Sequence, residues 1–384
     1  MAECSSNRKY LFLLGACLVC LGMLFLYGTI DYTVYPFSHW DLRSYRRMAR
    51  AAPHLAEDVP RPFAYRILGP YVVGLLPMSE SLGFRLLTLV VGFSLIPLFY
   101  FLLCERGVSA CPAACAVALF VWNKQLFGFA VWNFFQVNDT LSLLCLVLLF
   151  WVLWRERWVA FAIVLFLGAF TRETALLMVP TAFVYLLERG RWQEKGRALL
   201  LAVIPGVAAF LFLRWLIQPA AGRGLLDAFL LHADKVTSVE TWFRLLINPF
   251  IPLSLIPLVF VEQTVSFVRQ NKHMALFFLL VLAGTLFGGN NERLMAPAFV
   301  VFYLLIAEIL QGEFQGAKGM LAVILVCGFL SSLHHRTARF PLSQRYLTVI
   351  LSMGSLGIVT AVGVLVRLRN KDLKREGKLR ELAR

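Results

Sequence analysis

Apolar residues run along this chain in long blocks separated by short polar breaks. The pattern is neither the alternation of a surface strand nor the one-sided stripe of a soluble helix. The blocks lie near 10–30, 82–104, 108–123, 138–154, 158–170, 174–188, 197–217, 246–267, 273–288, 294–310, 319–334 and 346–366. A hydrocarbon core of about 30 Å takes roughly 20 apolar residues per helix, so each block is read as a membrane span. The shorter ones extend into their flanking loops or stand in thinner, protein-lined regions. The sequence therefore predicts an all-α, polytopic transmembrane helical bundle of twelve spans, with residues 1–384 forming one transmembrane domain.

Two stretches outside the spans also look structured. Residues 40–55 are amphipathic and rich in arginine, and Asp41 near their start is a favourable N-cap. Residues 67–76, broken by Gly69, Pro70 and Gly74, are too short to span and read as a second interfacial or re-entrant element. Together they occupy a first loop over 31–81 that is expected to carry interfacial helices.

Charge sets the direction. Of the 384 residues 59% are hydrophobic and 15% charged, and the net charge is +15. Such a charge would suit nucleic acid only on a folded basic face, whereas these lysines and arginines sit in short breaks between spans. Arg8, Lys9, Arg106, Arg155, Arg157, Arg189, Arg191, Lys195, Arg197, Arg269, Lys272, Lys318 and the basic tail over 367–384 fall on one side of the threading. That side is cytoplasmic by the positive-inside rule, and both termini lie on it. Counting 67–76 as a span would invert this distribution. Arg43, Arg46, Arg47, Arg50, Arg61 and Arg66 in the first loop stand against the trend and need a separate reason. A bacterial inner membrane is the expected location, and the endoplasmic reticulum obeys the same charge rule. Most of the cysteines lie within or beside apolar blocks as small hydrophobes, and no metal-ligand spacing is present.

On the opposite, non-cytoplasmic side the breaks carry a recurrent chemistry: Asp31 and Asp41, Arg66, Asn138-Asp139, Thr171-Arg172-Glu173-Thr174, Asn290-Asn291-Glu292-Arg293 and His334-His335-Arg336. Charges beside a membrane are costly unless paired or hydrated, so their return to one face points to a shared polar cavity. Asp41 and Tyr45 are one helical turn apart on one face. Asp41 could serve as a general base or only as a helix cap, and Asp31, directly after the first span, is the fallback. Arg66, Arg172 and Arg293 stand at element ends, where a guanidinium can grip a phosphate in a fixed geometry. Neutralisation by Glu173 and Glu292 is the plainer reading. Asn138 and Asp139 either cap a span or face a ligand, and His335 is a weaker substrate candidate.

These residues resemble the polyprenyl-phosphate-sugar-dependent glycosyltransferases of the GT-C superfamily. The match rests on Asp41-Leu42-Arg43-Ser44-Tyr45, Arg61-Pro62-Phe63-Ala64-Tyr65-Arg66-Ile67-Leu68-Gly69-Pro70, Asn138-Asp139, Thr171-Arg172-Glu173-Thr174 and Asn291-Glu292-Arg293-Leu294 with Pro297. The resemblance implies a catalytic carboxylate in the first outer loop, falling on Asp41. It implies a lipid phosphate held by Arg172, Arg293 and Arg66, with Tyr45, Asn138, Asp139, Glu173, Glu292 and His335 lining the substrate site. The donor would be a polyprenyl-phosphate sugar, the acceptor a hydroxyl on a glycan or lipid, and the transfer inverting. The sequence departs from the family in lacking a large soluble C-terminal domain and in having no acidic doublet at Asp41, which leaves a divalent-cation requirement open. A transporter or flippase of a lipid-linked sugar, a glycan polymerase or ligase, and a noncatalytic scaffold are the competing classes.

Overall fold

The computed structural model describes residues 39–123, 126–217, 236–285, 290–333 and 345–382. It also describes positions 230 and 288 and eight positions of the first block, namely 10, 11, 14, 15, 17, 18, 21 and 22. Among the described residues every regular element is helical. In hydrocarbon a helix satisfies its backbone within itself, which is why apolar runs of this kind fold so. The elements α1 (His39–Ala51), α2 (Leu68–Gly74), α3 (Glu80–Glu105), α4 (Ala110–Val121), α5 (Val137–Trp154), α6 (Trp158–Ala169), α7 (Met178–Glu188) and α8 (Trp192–Leu216) occupy the first part of the chain. They are followed by α9 (Val261–Gln270), α10 (Lys272–Thr285), α11 (Phe299–Glu313), α12 (Lys318–Ser332) and α13 (Arg345–Leu382). By length and composition, five stretches among the described residues can cross a membrane: Glu80–Glu105, Phe134–Trp154, Trp192–Leu216, Ala296–Glu313 and Tyr346–Leu373. The shorter apolar helices α4, α6, α10 and α12 stand among them.

Two expectations are corrected. The block over 246–267 is not one helix. A π-helical turn at Phe243–Ile247, a 3-10 turn at Asn248–Phe250 and a short helix at Ile256–Val259 replace it. Pro249, Pro252 and Pro257 each remove a backbone donor there, so a continuous ladder cannot form. The chain nonetheless passes from end to end, because Phe250 stacks on Phe302 near the start of α11 and Phe260 meets Phe314 just past its end. The break expected after residue 267 is occupied by α9, whose polar and apolar residues share an exposed surface. The basic tail continues the last apolar block as the same helix, α13, to Leu382, in keeping with its run of good helix formers.

Polar side chains gather at the two ends. At one end Arg155 pairs with Glu105, Arg191 with Glu156, and His273 with Glu188, while Arg106 donates to Asn271 and Asn370 to Glu313. These are the residues the threading puts on the basic side. The other end holds the carboxylates and arginines of the first loop and of the breaks at 138–139, 171–174 and 290–293.

Two apolar cores match this division. The larger fills the bundle between α3, α4, α5, α10 and α11. A smaller one lies beneath the first loop and joins Leu42, Tyr45, Met48 and Val73 to Phe84, Phe134, Phe135 and Leu213. It ties α1 and α2 to the mouth of the bundle. Gly74 lets them meet, since a Cβ there would come within 2.0 Å of the Ala49 carbonyl oxygen. Arg46 and Arg50 both hold Glu80, at 2.9 and 2.5 Å, which fixes α1 to the start of α3.

Candidate functional site

The polar end is organised by two sets of ion pairs that meet at the neighbouring residues Arg172 and Glu173. Arg293 lies in a single helical turn, Asn291–Leu294, whose N-cap Asn290 accepts from the Arg293 backbone N–H at 3.1 Å. From there its guanidinium reaches three partners. Nη1 donates to Asp41 Oδ2 at 2.6 Å, Nε donates to Asp139 Oδ2, and Nη2 donates to Gln136 Oε1. Gln136 in turn donates to Asp41 Oδ2. Asp139 Oδ1 accepts from Arg172 Nη1 at 2.9 Å. One residue on, Glu173 accepts from Arg66 Nη2 at 3.2 Å and Arg214 Nη2 at 3.4 Å. Asp41 lies at the far end of the first set and Arg214 at that of the second.

Local structure explains these placements. Asp41 was expected as the N-cap of its helix, but α1 begins two residues earlier, at His39, and places Asp41 in the first turn. Its carboxylate is taken by Arg293 and Gln136 instead. Tyr45, one turn on, is wholly buried. Burial raises the pKa of its phenol, and none of the described residues hydrogen-bonds its hydroxyl. Arg172 is an extended residue between α6 and the 3-10 turn Glu173–Leu177, a sharp corner that points it back toward α5. Asn138 is fully buried, and its amide bridges the first loop to the bundle, accepting from Gly69 N–H at 3.0 Å and donating to Arg66 C=O at 2.8 Å. Gly69 is required at that contact, because a Cβ would lie 2.7 Å from Asn138 Oδ1.

Electrostatics follow from burial and pairing. Burial works against the charges of Arg66 and Arg293. Glu173 beside the first, and Asp139 and Asp41 beside the second, more than offset it and raise both pKa values. For Arg172 burial wins and lowers the value, against the opposing charge of Asp139. Burial alone would raise the Glu173 carboxyl, and Arg66 leads the opposing charges that hold it below the usual carboxylate range. Glu292 faces away from these ion pairs toward Arg244, at 2.7 and 3.2 Å, and Asn248, at 3.1 Å.

Nine of the expected site residues therefore gather at one end: Asp41, Tyr45, Arg66, Asn138, Asp139, Arg172, Glu173, Glu292 and Arg293. Asp31 and His335 lie outside the described residues. Four participants were missed, namely Gln136, Arg214, Arg244 and Asn248. Among the described residues no three His, Cys, Asp or Glu side chains form a metal site, and every carboxylate in the two sets of ion pairs is engaged by arginine.

No family model matches the sequence, and no curated protein does either. The fold, however, has known relatives. ArnT from Cupriavidus metallidurans bound to undecaprenyl phosphate matches with a TM-score of 0.52 at 12% identity, over 94% of this chain and 76% of that one. The same protein in the apo state matches with a TM-score of 0.56 at 13% identity, over 94% and 75%. ArnT is a GT-C glycosyltransferase. This chain has a GT-C-like fold. Within that GT-C-like fold the first-loop helices α1 and α2 cover the end of the bundle that holds Asp41 and the arginines.

Proposed function

We propose that this chain is a membrane glycosyltransferase. It moves a sugar from a polyprenyl-phosphate donor to an acceptor hydroxyl on a glycan or lipid, with inversion at the anomeric carbon. The observation that carries the reading is Asp41, a half-buried carboxylate on an interfacial helix, set into an arginine-rich network at one end of a GT-C-like bundle. Undecaprenyl phosphate bound to ArnT supports a polyprenyl-linked donor.

Asp41 Oδ2 is spoken for by Arg293 and Gln136, and Oδ1 has no protein partner among the described residues. Oδ1 accepts the proton of the acceptor hydroxyl as its oxygen attacks the anomeric carbon. The bond from that carbon to the phosphate oxygen breaks, and its electron pair stays on the phosphate. Guanidinium groups stabilise the charge that develops there. Arg293 and Gln136 hold the carboxylate in place, and Asp139 with Arg172 holds Arg293.

A transporter would carry ionisable residues near the bilayer midplane between moving repeats. Here they sit at one end and are locked to each other, which favours a fixed site. In a bacterial inner membrane with both termini in the cytoplasm, that end faces outward. The test is Asp41→Asn in purified protein supplied with a polyprenyl-phosphate sugar. Transfer falls by about 10²- to 10⁴-fold while the protein stays folded. Undiminished transfer moves the base elsewhere, with Asp31→Asn the next variant.

A further inference from the structure

We infer that the lipid phosphate sits at Arg214, Arg61 and Arg66 around Glu173, not at Arg293 and Arg172. The inference rests on the donor reading above and gives it a location.

The first argument is charge balance. Arg293 and Arg172 meet Asp41 and Asp139, so that set of ion pairs is neutral as it stands. Among the described residues Glu173 is the carboxylate paired with both Arg66 and Arg214, and Arg61 lies within electrostatic reach of Arg214. Among the described residues Arg61, Arg66 and Arg214 are met by one paired carboxylate, Glu173, which leaves two positive charges in excess. A sugar-linked phosphodiester carries one negative charge, and the monoester it becomes carries about 1.5 to 2 at pH 7. The excess matches the leaving group.

The second argument is what the arginines leave unused. Arg66 is 8% exposed, and among the described residues its Nε has no hydrogen-bond partner, an expensive state for a buried charged donor that it shares with Arg172 Nε. Arg214 is the more open of the pair. Its guanidinium lies 3.4 Å from the centre of the Phe210 ring and 4.5 Å from that of Tyr65, so aromatic faces orient it, and its Nη1 and Nη2 donate only at 3.4 Å, to Phe210 C=O and Glu173.

The third is access. Arg214 stands in the last turn of α8, whose neighbouring Leu211, Phe212, Trp215 and Leu216 are exposed large apolar side chains. A polyprenyl tail lying along them brings its phosphate to Arg214 directly. Arg293, by contrast, has its Nη1 and Nη2 engaged by Asp41 and Gln136.

The experiment measures binding of undecaprenyl phosphate to the full chain in detergent, with undecaprenol and phosphatidylglycerol as competitors. Wild-type protein prefers undecaprenyl phosphate over both. Arg214→Gln weakens it by about tenfold, Arg214→Lys restores part of the loss, and the exposed Arg61→Gln weakens it severalfold without disturbing the fold. If wild-type protein does not distinguish undecaprenyl phosphate from undecaprenol, the donor reading itself fails. If it does distinguish them but Arg214→Gln and Arg61→Gln bind as wild type, this location is overturned while that reading stands. Equal competition by phosphatidylglycerol also overturns it, in favour of a general headgroup site.

Discussion

Arg293 and Asp41 are 252 positions apart in the chain and joined by a 2.6 Å ion pair. The contact links the first loop to the turn before α11, and Asp139 of α5 shares the same guanidinium. Each partner alone would be a charge stranded beside the membrane. Together they form a rigid frame that only the folded bundle can assemble.

The frame should be cooperative. Arg172 is 3% exposed and its partner Asp139 7%. Removing one member of a buried pair leaves the other uncompensated, at a cost of about 3–5 kcal/mol. Arg172→Gln is therefore expected to lower thermal stability strongly, and the same change in an Asp139→Asn background to cost much less. Equal losses in the two backgrounds would show that the pair is not coupled.

Acid should loosen the same end. Burial alone would raise the Glu292 carboxyl, and Arg244 and Asn248 hold it below the usual carboxylate range. A depressed carboxyl stabilises the folded state fully above its unfolded pKa, about 4.3, and the gain fades as pH falls through the folded value. The difference in Tm between wild type and Glu292→Gln should be largest near neutral pH and close below about pH 4.3. A difference that is constant or widens in acid contradicts the assignment.

Much of this was legible in the sequence because charge is scarce there. Asp41, Arg66, Asp139, Arg172 and Arg293 stand out against apolar blocks, and the cost of a lone charge already argues that they meet. Their partners are harder to read. Gln136 follows Phe134 and Phe135 and looks like the edge of a span. Arg214 sits inside the apolar run of α8, where a cation reads as a boundary marker. In sequence Asn138 offers a cap or a ligand contact, and its bridge to Gly69 and Arg66 depends on a loop 69 and 72 positions away. The broken segment after Phe243 was signalled by Pro249, Pro252 and Pro257, but hydropathy alone averages over such breaks.

The two polar ends should face opposite compartments. Arg43 is exposed on α1 and Arg157 is exposed between α5 and α6. Cysteines placed at Arg43 and Arg157 in a cysteine-free background should react with a membrane-impermeant maleimide from opposite sides of sealed vesicles. Labelling from the same side would overturn the threading.

A polyprenyl-phosphate-linked substrate at the arginine-rich end leaves a direct trace in the lipids that remain with the gently purified protein. Mass spectrometry of those lipids should find a polyprenyl phosphate or its glycosylated form, retained by wild-type protein and depleted in Arg214→Gln; bulk phospholipid alone would refute the site.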